Sequence, residues 1–141
     1  MHNINPNHDI THVNEGGTQE APFRALSARL EAIGTESSNR DKVVQKPLPS
    51  FIGLWSKSKN RRFGTLFARK DKIICVARLD KPNTLTLQKK YADIKYYSQS
   101  DSSAVCWVCG QAEIEVSAGQ DNLETAIKAA ADMYRAAYNR L

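Results

Sequence analysis

Cys106-Trp107-Val108-Cys109 is the one metal- or redox-type spacing in this 141-residue chain. Structural zinc needs four ligands, and a redox pair needs a thiolate at a helix start. No second Cys-x-x-Cys exists, Cys75 is the remaining cysteine, and His2, His8 and His12 all fall near the start. Residues three apart on a strand point to opposite faces, so Cys106 and Cys109 do not converge on a metal if the segment is extended. Cys75 and one of the pair therefore read as small core hydrophobes, with no metal and no cofactor expected. With histidines confined to residues 2–12, no nucleophile–base relay is visible, and no Walker or dinucleotide loop occurs. The chain reads as a non-enzymatic protein with no catalytic residues.

Charge is more informative. Twelve of the twenty Lys and Arg lie from Lys57 to Lys95, against three acids, a local balance of +9. The preceding residues balance at −1 and the following ones at −3. Charge gathered this way attracts polyanions and releases their counterions. Leu54-Trp55-Ser56-Lys57-Ser58-Lys59-Asn60-Arg61-Arg62-Phe63 mixes cations, hydroxyls and aromatics. Cations neutralise phosphates, hydroxyls donate to phosphate oxygens, and aromatics stack on bases. Lys57, Lys59, Arg61, Arg62, Arg69, Lys70 and Lys72 are the candidate phosphate contacts, with Trp55 and Tyr91 as stacking groups. Lysines at hairpin tips also serve simply to block edge pairing, which is the competing explanation.

These residues need a frame. Residues 1–21 are polar and read as a mobile tail. Over 22–34, Phe23, Leu26, Leu30 and Ile33 recur at helical spacing between Pro22 and Gly34, giving a short amphipathic helix that must dock on something. Residues 35–50 read as a Pro-punctuated linker. From Phe51 the period becomes two. Strands are expected over Phe51–Lys57, Phe63–Ala68 (with Phe63, Thr65 and Phe67 on one face), Ile73–Leu79, Thr84–Gln88 (Leu85 and Leu87 inward), Tyr91–Tyr97, Ala104–Cys109 and Ala112–Val116. Asp80-Lys81-Pro82-Asn83 reads as a turn. Asp121 with Glu124 reads as a capping pair for an Ala-rich terminal helix striped by Leu123, Ile127, Ala130, Tyr134, Ala137 and Leu141. Short hairpins make the sheet antiparallel. The fold class is α+β: a curved antiparallel sheet or small barrel of six to seven strands over 51–141, closed by a C-terminal helix.

That strand order with a closing helix resembles a pleckstrin-homology-like domain over about residues 51–141. Gly53-Leu54-Trp55-Ser56-Lys57 followed by Lys59, Arg61 and Arg62 is similar to that family's first hairpin, which implies contact with phosphoinositide headgroups. Three strands and an Ala-rich helix also resemble small sheet-reading DNA-binding and double-stranded-RNA-binding modules.

No apolar run is long enough to span a bilayer, no secretory signal or lipidation pattern is present, and three cysteines make an odd count. The chain reads as soluble and cytoplasmic. The leading expectation is nucleic-acid binding through phosphates. The alternative is an inhibitor, chaperone or adaptor of an acidic protein partner, with Phe23, Leu26, Leu30 and Ile33 docking on that partner or on a second copy as a homo-oligomer. An anionic-lipid headgroup is the third choice.

Overall fold

The computed structural model describes residues 8–38, 40–98 and 110–141. Its elements are α1 (Glu20–Thr35), β1 (Val43–Pro47), β2 (Ile52–Ser56), β3 (Arg61–Ala68), β4 (Ile73–Arg78), α2 (Lys81–Gln88), β5 (Lys95–Tyr97), β6 (Gln111–Val116) and α3 (Leu123–Asn139), with a 3-10 turn at Ile10–His12 before α1. The class is α+β. Among the described residues every strand pairing is antiparallel, in the order β1-β2-β3-β4-β6-β5, and the sheet they form is open, not a barrel. The expected strand Ala104–Cys109, with Cys106 and Cys109, lies outside the described residues, as do residues 1–7. Among the described residues no helix is long and apolar enough to cross a membrane.

One face of the sheet carries α1 and α3. Leu54, Leu66, Ala68, Ile73, Cys75, Ala77, Ala112, Ile114 and Val116 project toward the helices and share one core with them. The alanines of α3 (Ala126, Ala129, Ala130, Ala137) let the helix lie close, and Gly64 removes the last obstacle. A Cβ there would sit 2.5 Å from Tyr134 Cε1. Tyr134, fully buried, lies over Gly64 and donates its hydroxyl to the Thr65 carbonyl at 2.8 Å. Burial pushes the Cys75 thiol up to about 12, so it packs as an inert hydrophobe.

Five expectations are corrected by tertiary packing. β1 runs through the expected linker, where Val43 and Val44 pair with Ser56 and Trp55. Phe63 does not share a face with Thr65 and Phe67. A bulge steps the pairing from Leu54↔Gly64 to Trp55↔Arg62, so Phe63 joins the helix side, edge-on to Tyr134 at 6.3 Å and Tyr138 at 5.6 Å. Thr84–Gln88 is helical. Asp80 caps α2 by accepting from Asn83 N–H at 3.1 Å, Pro82 fits its first turn, and Leu85 is 48% exposed instead of inward. Four alternating residues did not discriminate strand from helix. At α3 the cap position is Asn122, without a side-chain cap, and Glu124 pairs with Arg29 at 2.8 Å instead of completing a capping box. The last correction concerns α1. Leu26 and Leu30 are fully buried and Ile33 nearly so, within the core that α3 shares, and Phe23 packs against it. The stripe expected to dock on a partner or a second copy is occupied within the chain.

Within the expected tail, residues from His8 onward are anchored. Asp9 N–H donates to the Ala68 carbonyl at 2.8 Å, Val13 is buried, and Gln19 donates to the Lys70 carbonyl at 3.1 Å. His8 Nδ1 accepts the Ala68 N–H at 2.9 Å, and its ring meets Phe67 edge-on at 6.4 Å. Nδ1 must be unprotonated to accept. Burial pushes the His8 pKa down from 6.5, more strongly than nearby Asp9 pulls it up. A group lowered in the fold contributes stability above its unfolded value and loses it as pH falls through the folded value. Hydrogen exchange at the Ala68 amide should therefore quicken as pH drops below 6.5 relative to the Ile74 amide, and His8→Ala should remove that pH step. An exchange ratio flat with pH in the wild type would contradict the anchor.

Candidate functional site

β3 has eight residues, so its two ends stand about 25 Å apart at roughly 3.3 Å per residue. That length divides the seven candidate phosphate contacts. Lys57, Lys59 and Arg61 lie at the end of the sheet that holds the β2–β3 turn. Arg69, Lys70 and Lys72 lie at the other. Arg62 points to the face away from the helices, its guanidinium 5.0 Å from the Phe51 ring. The block that is continuous in sequence is therefore not one patch.

The two ends differ in what surrounds them. At the β3–β4 end, Lys72 is bound to Glu115 at 3.0 Å, Asp71 sits among the cations, and the Lys70 carbonyl accepts from Thr18 and Gln19. At the β2–β3 end, the register adds cations that lie outside the Lys57–Lys72 block. Lys42 precedes Val43, and its carbonyl accepts the Lys57 N–H at 2.9 Å, so Lys42 and Lys57 are neighbours. Arg40 lies two residues before Lys42. Arg78 ends β4 opposite Gln111, and Arg140 follows α3, both at this same end. Arg40, Lys42, Lys57, Lys59, Arg61 and Arg140 are exposed. Strand spacing of about 4.8 Å brings the strand-end cations within reach of one phosphate chain. Lys59 is partly committed: its Nζ donates to the Leu141 carbonyl at 3.0 Å and lies 5.7 Å from the Tyr138 ring.

The acids at this end are engaged by the protein: Asp41 and Asp80 through internal contacts, and the exposed Glu36 through an ion pair with Arg135 at 3.3 Å. Asp41 is buried at 5% exposure and accepts four hydrogen bonds. Lys42 N–H (2.7 Å) and Ser58 N–H (2.8 Å) donate to Oδ1, while the Tyr138 hydroxyl (2.6 Å) and the Ser56 hydroxyl donate to Oδ2. Burial opposes the charge, but the donors outweigh it and hold the Asp41 carboxyl well below the usual carboxylate range. Burial and the same contact push the Tyr138 phenol up. Asp80 caps α2 and pairs with Arg140 at 2.9 Å, and these contacts likewise lower its carboxyl against the effect of burial. Asp41 thus ties the β2–β3 turn to β1 and α3, and its charge fixes the backbone beneath Lys57 and Lys59 instead of facing solvent.

The two expected stacking residues are far apart in role. Tyr91 is 7% exposed and donates its hydroxyl to Asp132 at 2.6 Å; that bond, with burial, pushes its pKa up. It props α2 and β5 against α3. Trp55 lies on the face away from the helices, beside Arg62 in the pairing register, with Lys46 Nζ 4.1 Å above its ring.

Arg40, Lys42, Arg78 and Arg140 were not singled out in the sequence as contacts. The β-branched pair Val43-Val44 between Lys42 and Lys46 was the available signal for a strand there. Nothing local linked that strand to Lys57. Among the described residues no group of three His, Cys, Asp or Glu is placed to hold a metal ion. No family model, curated protein or solved structure matches the chain.

Proposed function

We propose that this chain is a non-enzymatic binding module that engages nucleic acid, chiefly through phosphates, at the β2–β3 end of its sheet. The observation that carries the reading is the unequal use of charge there. Arg40, Lys42, Lys57 and Arg61 are exposed, while Asp41 and Asp80 are held by internal hydrogen bonds and an ion pair. Glu36, the exposed acid near Arg40, is paired with Arg135 at 3.3 Å, and exposed cations in excess of their acids concentrate phosphate groups and displace their counterions. The β3–β4 end has cations too, but Glu115 and Asp71 dilute them, so Arg69, Lys70 and Lys72 become secondary.

The experiment is a salt titration followed by anisotropy of a labelled oligonucleotide. Lys42→Ala/Lys57→Ala/Arg61→Ala should lower affinity and reduce the slope of log K against log[salt] by about 2–3, one unit or slightly less per lost phosphate contact. Arg69→Ala/Lys70→Ala should leave the slope nearly unchanged. Equal slopes for wild type and the triple variant would overturn the assignment. An acidic protein partner would instead show as tight binding of polyglutamate and none of the oligonucleotide.

A further inference from the structure

Next to the cationic end, the outer face of the sheet holds an aromatic in an unusual setting. A Cβ on Gly53 would lie 2.9 Å from Trp55 Nε1 and 3.5 Å from its Cδ1, so the indole extends back along β2 and covers Gly53. The missing side chain at 53 is what allows the ring to lie against the strand. Its Nε1–H is buried there and makes no hydrogen bond. An unpaired buried N–H is unfavourable, and a phenylalanine would cover Gly53 with an apolar ring and no buried donor. Packing therefore does not account for tryptophan at this position. Above the ring lies the Lys46 ammonium, at 4.1 Å from the centroid, on an exposed side chain of the edge strand β1. A cation over an aromatic at an exposed site is a weak contact, and a lysine stem swings easily. Arg62 stands opposite Trp55 in the β2–β3 pairing, and Arg61 and Lys57 continue from these strands into the cationic end.

We infer that the nucleic acid is single-stranded and that Trp55 is its base-stacking platform, with Lys46 moving from the indole face to a phosphate when a base takes its place. This rests on the polyanion reading above and narrows it. A flat ring beside a phosphate-binding rim is the arrangement that single-strand binding requires, because every base offers a π face once it is unpaired. A paired base in a duplex offers none, so Trp55 contributes nothing to duplex binding.

The test uses the full chain with three probes: an oligothymidylate of about 12 nucleotides, the same length of duplex DNA, and heparin. The chain has two tryptophans and five tyrosines, so emission is excited at the red edge, where tyrosine does not absorb, in a Trp107→Phe background in which Trp55 is the one remaining tryptophan. Oligothymidylate should quench that emission, and heparin should not. Trp55→Ala should weaken oligothymidylate binding about five- to hundredfold, Trp55→Phe should retain most of it, and heparin affinity should stay the same for both. Lys46→Ala should reduce the salt slope for oligothymidylate by about one unit. Equal losses on heparin and oligothymidylate would make Trp55 a packing residue and overturn the inference. So would duplex binding as tight as single-strand binding with no quenching, which leaves the polyanion reading standing. Failure of all three probes to bind the wild type would instead remove the polyanion reading and this one with it. If Trp55→Ala does not fold, the quenching experiment on the Trp107→Phe protein decides alone.

Discussion

Asp41→Ala should lower the free energy of unfolding by about 3–4 kcal/mol, measured by urea denaturation at neutral pH. Four donors converge on this carboxylate. Its removal leaves the Tyr138 hydroxyl and the Ser58 and Lys42 amides without their acceptor, in a site where burial makes each loss cost about 1–3 kcal/mol before relaxation. Asp41→Asn should cost less, about 1–2 kcal/mol. Its carbonyl oxygen can still accept from the two backbone amides at Oδ1, and the Ser56 and Tyr138 hydroxyls can rotate to accept from the new amide. The pH dependence has a definite sign. A carboxyl lowered in the fold stabilises the protein above its unfolded value, 3.8, and that contribution is lost as pH falls below it. Wild-type stability should therefore drop between pH 4 and the acid limit more steeply than that of Asp41→Asn. Parallel curves would show that Asp41 is not the group responsible. Because Asp41 holds the Ser58 amide, Asp41→Ala should also loosen the turn bearing Lys57 and Lys59, and oligonucleotide affinity should fall with no cation removed.

Leu30→Ala should destabilise the chain by about 2–5 kcal/mol, and Leu26→Ala similarly, because both side chains are fully buried where α1 meets α3. Thermal unfolding is the measurement. This outcome separates the two ways of using an amphipathic helix. A stripe reserved for a partner costs little stability when truncated and much binding; a stripe in the core does the opposite. Folded Leu30→Ala protein, assayed well below its midpoint, should bind oligonucleotide as the wild type does. A change in stability below 1 kcal/mol would mean that α1 separates readily from the sheet, and the docking role would regain its basis.

Several features of this fold are legible locally. Ala112–Val116 alternates in type and lies within β6, with Ala112, Ile114 and Val116 buried as expected, although Glu113, expected to face out, is 3% exposed. The stripe from Leu123 to Ala137 lies on the buried side of α3, since 3.6-residue periodicity leaves little alternative over so many turns. Short segments were not legible for the same reason in reverse. Thr84–Gln88 alternates for less than two turns, and the Asp80 cap with Pro82 decides in favour of helix. Val43–Pro47 is too short and too polar to declare itself, and it becomes a strand because β2 offers it a free edge. Phe63 changes face through a bulge that depends on Tyr134 and Tyr138 filling the space above β3.

The candidate site divides along the same line. Residue types and their clustering led to the proposed kind of partner: the excess of Lys and Arg between positions 57 and 95 is a property of composition, and attraction to polyanions at long range is the expectation it raises without any fold. Which of those charges act together was decided only by tertiary structure. A hairpin sends its two turns to opposite ends of the sheet, so neighbours in sequence such as Arg61 and Arg69 are separated by the length of β3, while Lys42 and Lys57, fifteen positions apart, are joined by a backbone hydrogen bond. Charges sum over distance in space, and strand register, not sequence order, sets that distance.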